Sequence, residues 1–220
     1  MTTIQTLINK RDNVEVVRDQ IGAILALEVQ SQMALAALAA ENPADWDLKV
    51  FLERVNPWGE FSESDTTPVV NVFWEASTFD PSASNVVMRQ KTSAIFNVDC
   101  YGYGVAAADG TGQIPGDELA AAEAMRTARL VRNILMSANY AYLDMRGVVW
   151  KRFVRGINGF QPQQGDLNGV QVMACRLLLE VEFSEFSPQY DGVELENVLI
   201  EFERSSDNQV IIQAEYDYTP

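Results

Sequence analysis

The sequence predicts an α+β fold: a mixed, mainly antiparallel sheet with two helices on one face, followed by a C-terminal β-hairpin extension. Two observations predict it. Apolar and polar residues alternate in several segments of strand length, which is the period of two of a β-strand. Two alanine-rich segments instead repeat their apolar residues at helical spacing. The order helix, three strands, helix, two strands is the plan of an interaction module and not of an enzyme.

The first segment, residues 3–41, is predicted to be helical. Thr3 can cap a short helix, and Asn13 can begin a longer one. Gly22 weakens the middle, so one bent helix and two separate helices are both acceptable. Asn42 and Pro43 end the segment.

Two strands are expected next, over residues 47–55 and 68–76. A turn at residues 56–59 and an acidic loop at residues 60–67 connect them. Residues 77–90 read as a polar connection to the third strand.

The centre of the chain gives the clearest pattern. Ala94, Phe96, Val98 and Cys100 share one face of a strand. A glycine-rich loop, residues 102–116, is expected to be a flexible loop or a subunit contact. Asp117 can cap a helix that runs to about Tyr140. Its predicted apolar face comprises Ala121, Ala124, Ala128, Val131 and Leu135.

Strands are predicted over residues 148–155 and 170–183, and the second of these is unusually long, at about 45 Å. Two interpretations stay open: two strands joined by a bulge, or one strand whose far end leaves the domain and pairs elsewhere. The predicted core comprises Phe96, Val98, Leu177, Leu179 and Val181.

The pattern divides the chain into a domain of residues 1–187 and a hairpin arm of residues 188–220. An isolated hairpin is marginal in water, so the arm needs either its own domain or a neighbouring subunit. The residues expected to meet a partner strand are Val198, Ile200, Phe202, Val210, Ile212 and Tyr216.

The net charge of −15 is unevenly distributed. Residues 41–85 and 188–220 carry net −7 each, whereas residues 86–187 are neutral. No basic footprint for nucleic acid is present. No membrane partner is expected either, because the longest apolar run is too short to span a bilayer. The charged residues near position 12 do not suit a secretory signal, so synthesis in the cytoplasm is expected.

Catalytic chemistry is not apparent in the sequence. The chain has no histidine, no nucleophile elbow and no phosphate-binding or dinucleotide-binding glycine motif. We therefore expect no catalytic, cofactor or metal site. Cys100 and Cys175 are predicted to be buried free thiols, with a disulfide as the alternative.

Three arginines, Arg126, Arg129 and Arg132, recur at every third position of the second helix and form a basic edge. The edge is either a solvated face paired with Glu123 and other acids or a contact with acidic residues of an identical neighbour.

Three stretches resemble phage tail terminators: the strand at residues 94–103, the helix segments at residues 119–125 and 130–138, and the strand at residues 173–183. The resemblance covers roughly residues 1–187. It implies a homo-oligomeric, hexameric ring in the virion that caps the tail tube and contacts the tail tube protein and the neck or connector protein. DNA would pass through without specific binding.

The arm departs from the compact family pattern and suggests, by analogy, a contractile tail with the sheath protein as a further partner. The acidic loop, with Glu60, Glu63 and Asp65, is the predicted lining of the ring lumen. A neck or tail-completion protein is the alternative within this class. An acidic DNA mimic is the alternative from another class, and an enzyme ranks third.

Overall fold

The computed structural model describes residues 9–62, 64–81, 89–108, 113–162, 171–186, 197–203 and 210–217. The chain divides into two compact units, and the larger one spans Asn9–Ser187. The C-terminal hairpin belongs to the other unit.

The first helix, α1 (Asn13–Leu38), is one continuous helix. Gly22 is buried in the middle of this helix. A Cβ at this position would come within 2.6 Å of the Leu52 side chain. At the other end, the Glu41 N–H donates to the Ala36 carbonyl over 2.9 Å, and Ala40 adopts a left-handed φ of 58°. This is the Schellman type of helix termination, and it fixes Glu41 just beyond the last turn. Thr3 lies outside the described residues.

The strands of the larger unit are β1 (Lys49–Leu52), β2 (Val69–Phe79), β3 (Arg89–Gly104), β4 (Ala107–Ala108), β5 (Gln113–Ile114), β6 (Val149–Phe160) and β7 (Gln171–Phe186). Five of them form one sheet in the order β1-β2-β3-β7-β6. β1 and β2 are parallel, and the other neighbours are antiparallel. The predicted mixed, mainly antiparallel sheet is therefore confirmed.

The centre of the sheet is a long two-stranded ribbon. β3 and β7 have 16 residues each and pair without interruption, from Arg89 opposite Phe186 to Gly104 opposite Gln171. Both interpretations of the long strand are therefore wrong. β7 has no break in its pairing with β3, and its far end stays paired because β3 is equally long. Bulges lie in the neighbouring strands β2 and β6 instead.

The second helix, α2, spans Gly116–Leu135. It ends five residues before the predicted Tyr140, which lies in a separate 3-10 turn, Ala138–Tyr140. Asp117 is not the cap, since Pro115 holds that position and Asp117 lies in the first turn. The carboxylate there favours the helix through its dipole.

Both helices pack on the same sheet face and enclose one apolar core. The five residues predicted for this core are fully buried, which confirms that prediction: Phe96, Val98, Leu177, Leu179 and Val181. Cys100 and Cys175 lie opposite each other across β3 and β7 as buried free thiols.

Two glycines explain how closely α2 approaches the sheet. Gly102 and Gly104 belong to β3 and not to a loop, so the predicted loop began too early. A Cβ on Gly102 would lie 2.3 Å from the Ala120 carbonyl oxygen, and one on Gly104 would lie 2.1 Å from that of Gly116. The glycines are required by this close contact of backbones.

The C-terminal hairpin consists of β8 (Asn197–Glu203) and β9 (Val210–Asp217), which pair antiparallel. Val198 is opposite Tyr216, and Phe202 is opposite Ile212. A bulge after Phe202 places Val210 opposite Glu203.

Candidate functional site

No cluster of three or more cysteine, aspartate or glutamate side chains that could hold a metal ion occurs among the described residues. Four surface features stand out among the described residues: an arginine edge, a groove between the helices, an apolar helix face and an aromatic cleft on the sheet.

The three predicted interface arginines have different surroundings. Arg126 binds Glu123 with Nε···Oε2 at 2.9 Å, and its Nη1 donates to the carbonyl of Asp45. The hydrogen bond to Glu123 raises the pKa of Arg126. Arg129 and Arg132 are exposed, and neither forms an ion pair with a described residue. The edge therefore divides into one internally paired arginine and two arginines that no described carboxylate pairs.

Arg129 stands at the rim of a groove between α1 and α2, which we call the helix groove. Its volume is about 460 Å³. Apolar side chains from both helices and from the segment before β1 line it, as do amide and hydroxyl groups. The lining includes Val29, Trp46, Leu48, Leu130, Ile134 and Tyr140.

Tyr140 closes one part of the helix groove. Its hydroxyl donates to Oε1 of Glu28 over 2.5 Å, which ties the turn after α2 to α1. This hydrogen bond raises the pKa of Tyr140 to about 12.

The side of α1 that faces away from the core is also apolar. Ala23, Leu27, Ala34 and Leu38 lie at helical spacing and are all exposed, with the polar Gln30 and Ser31 between Leu27 and Ala34; we call the four apolar residues the outer stripe of α1. Leu27 is 60% exposed and Leu38 is 85% exposed. Leu35, beside the end of the stripe, is exposed as well. A helix that is apolar on both sides normally has both sides covered.

The predicted lumen loop carries less free charge than its sequence suggests. Glu60 forms an ion pair with Arg54. Asp65 receives a hydrogen bond from Nζ of Lys49 at 2.5 Å, which lowers the pKa of this exposed carboxyl group. Glu63 lies outside the described residues. That the acidic loop lines a ring lumen stays a prediction.

The sheet face opposite the helices, here called the open face, carries a cleft of about 470 Å³. Asp99 of β3 and Arg176 of β7 are opposite each other at its floor. Nε and Nη2 of Arg176 bind the two carboxylate oxygens at 2.7 and 2.9 Å, and the Tyr101 hydroxyl donates to Oδ2 at 3.1 Å. Asp99 is buried, whereas the side chain of Arg176 is 34% exposed.

Aromatic rings hold this arginine in place. The guanidinium carbon of Arg176 lies 5.1 Å from the ring centroids of both Phe73 and Phe160. Tyr101 contacts Phe160 edge-on, and Trp58 stacks obliquely on Tyr101 at 5.7 Å. Cation–π contact and the two-point ion pair together orient Arg176 rigidly.

The sequence pattern does not predict this cleft, because its residues alternate with the core residues and lie on the opposite face of the strands. The residue types could have indicated it. Large aromatic residues, Phe73, Tyr101 and Tyr103, occupy positions where a solvated face usually carries small or charged groups. The outer stripe of α1 is also hard to predict, because in an alanine-rich segment both sides of the helix carry apolar residues.

The predicted arm residues lie in the described strands of the hairpin, and the register brings Val198, Ile200 and Phe202 opposite Tyr216, Ala214 and Ile212. Which partner they meet stays a prediction.

Among the described helices, α1 is also long and apolar enough to cross a membrane by length and composition, with a mean hydropathy of 1.5. A core helix meets the same criterion, and Val17, Ile21 and Leu25 of α1 are fully buried against the sheet.

No protein-family model matches the chain, and no curated protein matches it significantly in sequence.

Proposed function

We propose that this chain is a ring-forming structural protein of a phage tail, which caps the tail tube and joins it to the neck. The observation that carries the proposal is the exposed apolar outer stripe of α1. A protein of net charge −15 gains nothing in solubility from leucines at 60% and 85% exposure, whereas a subunit of an assembly would bury them.

The assignment to a tail, among all assemblies, rests on the three stretches that resemble tail terminators. They fall on β3, α2 and β7, which are neighbours in the fold: β3 pairs with β7, and α2 packs on them. The resemblance thus concerns one connected block and not scattered segments. A neck or tail-completion protein is the second candidate, since the same surfaces serve a ring at that position.

The alternative of a DNA mimic is disfavoured because several acidic residues of this chain are already paired with its own basic residues. Such a mimic must present free carboxylates in a phosphate-like array. Here Asp19, Glu60 and Asp65 are each paired with a basic residue of the same chain.

The test is to express the full chain alone and together with the tail tube protein of the same phage. Native mass spectrometry and negative-stain imaging should find a closed ring, six copies of the 24.5 kDa chain, free or at tube ends. Tubes grown without the chain should vary in length, and those grown with it should stop. A chain that stays monomeric beside intact tube ends would contradict the proposal.

A further inference from the structure

We infer that neighbouring copies join head to tail, with the C-terminal end of α1 of one copy inserted into the helix groove of the next. Leu35 and Leu38 enter the groove, and Glu41 faces Arg129. This inference rests on the proposed ring and names the two surfaces that build it.

The inserted surface is shaped by the end of α1. From Val29 to Ala40 the helix has no charged residue, and Leu35 and Leu38 project from its last two turns. The Schellman termination holds Glu41 next to them through its backbone hydrogen bond to Ala36. An apolar end is thus followed at a fixed position by one carboxylate.

The receiving surface has the complementary features. The helix groove, at about 460 Å³, is within the usual range of binding cavities, roughly 300–1,000 Å³. The apolar half of its lining suits leucine side chains, and the Glu28 carboxylate in the same lining already accepts a hydrogen bond from Tyr140. Arg129 lies at its rim, and Arg132 is one turn further along α2.

Local charge complementarity between the two surfaces favours a second copy as the occupant. Neither Arg129 and Arg132 nor Glu41 forms an ion pair with a described residue of its own chain. The net charge of −15 on each copy opposes association, so the attraction is local: the carboxylate of Glu41 on one copy is complementary to Arg129 and Arg132 on the next. Since the two surfaces differ, the contact is heterologous and closes into a ring when the rotation per subunit permits.

A lipid surface suits the α1 end less well. Helices that bind membranes carry lysine and arginine beside their apolar face. No basic residue occurs between Val29 and Glu41, and the net charge repels anionic lipid.

Charge and polarity changes test the contact in the full chain, under the conditions that give rings. Leu38→Asp should weaken ring formation at least tenfold in sedimentation and native mass measurements. Val55→Asp is the matched control, because Val55 is 92% exposed and belongs to neither surface; it should leave rings intact. Arg129→Glu and Glu41→Arg should each weaken assembly, and the double variant should recover much of it.

Cross-linking gives an independent reading. The variant Leu38→Cys/Asn133→Cys should, after oxidation, yield a ladder of covalent oligomers up to the ring. An equal mixture of the two single variants should stop at dimers. Leu38→Cys alone should give no cross-link; dimers of it would show a symmetric contact and overturn the inference.

The outcomes separate the inference from the proposed function. Rings of Leu38→Asp as stable as those of the wild type would overturn the contact and leave the tail function standing. A wild type that never forms rings, even with tube ends, would remove both. Co-sedimentation with phosphatidylcholine–phosphatidylglycerol vesicles that Leu38→Asp abolishes would assign the α1 end to lipid and overturn the contact. Thermal melts by circular dichroism verify that each variant is folded.

Discussion

Asp99 on β3 and Arg176 on β7 lie directly opposite each other and form a two-point ion pair on the open face of the sheet. The carboxylate is only 2% exposed, so it depends on Arg176 and Tyr101 to replace its lost hydration. Removing the arginine leaves a buried charge without a cation, which costs more than the pair itself contributes.

Arg176→Met should therefore destabilise the fold by about 3 kcal/mol, the lower end of the range for breaking buried pairs, because the guanidinium is partly exposed. The double variant Asp99→Asn/Arg176→Met should lose less, since it buries no charge and still offers Tyr101 an acceptor. Urea melts of four proteins measure this: the wild type, Arg176→Met, Asp99→Asn and the double variant. A loss below about 1 kcal/mol for Arg176→Met, or an additive double variant, would show that the pair is not coupled as described.

The contact between α2 and the end of β3 leads to a second prediction. Gly102→Ala places a methyl group 2.3 Å from the Ala120 carbonyl oxygen, and backbone atoms cannot rotate away as a side chain can. We expect a loss of about 1–3 kcal/mol in denaturant melts. Gly159→Ala in β6 is the matched control, since a Cβ there meets nothing within 4 Å. Equal melting of the two variants would mean that α2 can shift without cost.

The architecture of the larger unit followed from periodicity, because a strand with one buried face must alternate its residues. Phe96, Val98 and Leu177 were placed in the core for this reason. Helix ends were harder to predict. No glycine or proline follows Leu135 to mark the end of α2, so the sequence pattern runs on to Tyr140. In the structure Tyr140 lies in a separate turn, where it donates a hydrogen bond to Glu28 of α1.

The candidate surfaces were less predictable from the sequence than the fold. The every-third-residue spacing located Arg126, Arg129 and Arg132, but it could not show that Glu123 and the Asp45 carbonyl already hold Arg126. Asp99 and Arg176 are 77 residues apart in the sequence, and their pairing depends on the register between β3 and β7. Such a register is set by the whole sheet, so no local pattern could reveal it.

A third prediction concerns alkaline pH. The hydrogen bond to Glu28 raises the pKa of Tyr140 from 10.0 to about 12. Between these values the unfolded chain loses the proton while the folded protein keeps it. The contribution of Tyr140 to stability is therefore complete below pH 10 and is lost as the pH rises toward 12.

Tyr140→Phe should remove this part of the pH dependence and flatten the stability curve above pH 10. Tyr101, whose pKa burial also raises, provides a remaining slope in both proteins. Urea melts at pH 8, 10 and 11 measure the difference. Parallel curves for the two proteins would contradict the role of the Glu28 hydrogen bond.

The last prediction concerns the hairpin arm. β8 and β9 pair only with each other among the described strands, and a hairpin of this size is marginal alone in water. No described strand pairs with its outer edges, whose amides and carbonyls suit strand addition. The net charge of −7 over residues 188–220 opposes pairing between arms and favours a basic partner strand, which we propose belongs to the sheath. The arm docking onto its own domain is the alternative.

Deleting residues from Asp191 onward should leave a soluble, folded protein whose melting temperature is close to that of the full chain, because the sheet and both helices are complete without it. The truncated chain should still form rings but should no longer attach the outer layer of the tail. Ile200→Lys in the full chain is a milder version that keeps the length of the arm and should weaken attachment in the same way. If the truncated chain unfolds, the arm belongs to the core of the protein; if it supports complete sheathed tails, the arm has another partner.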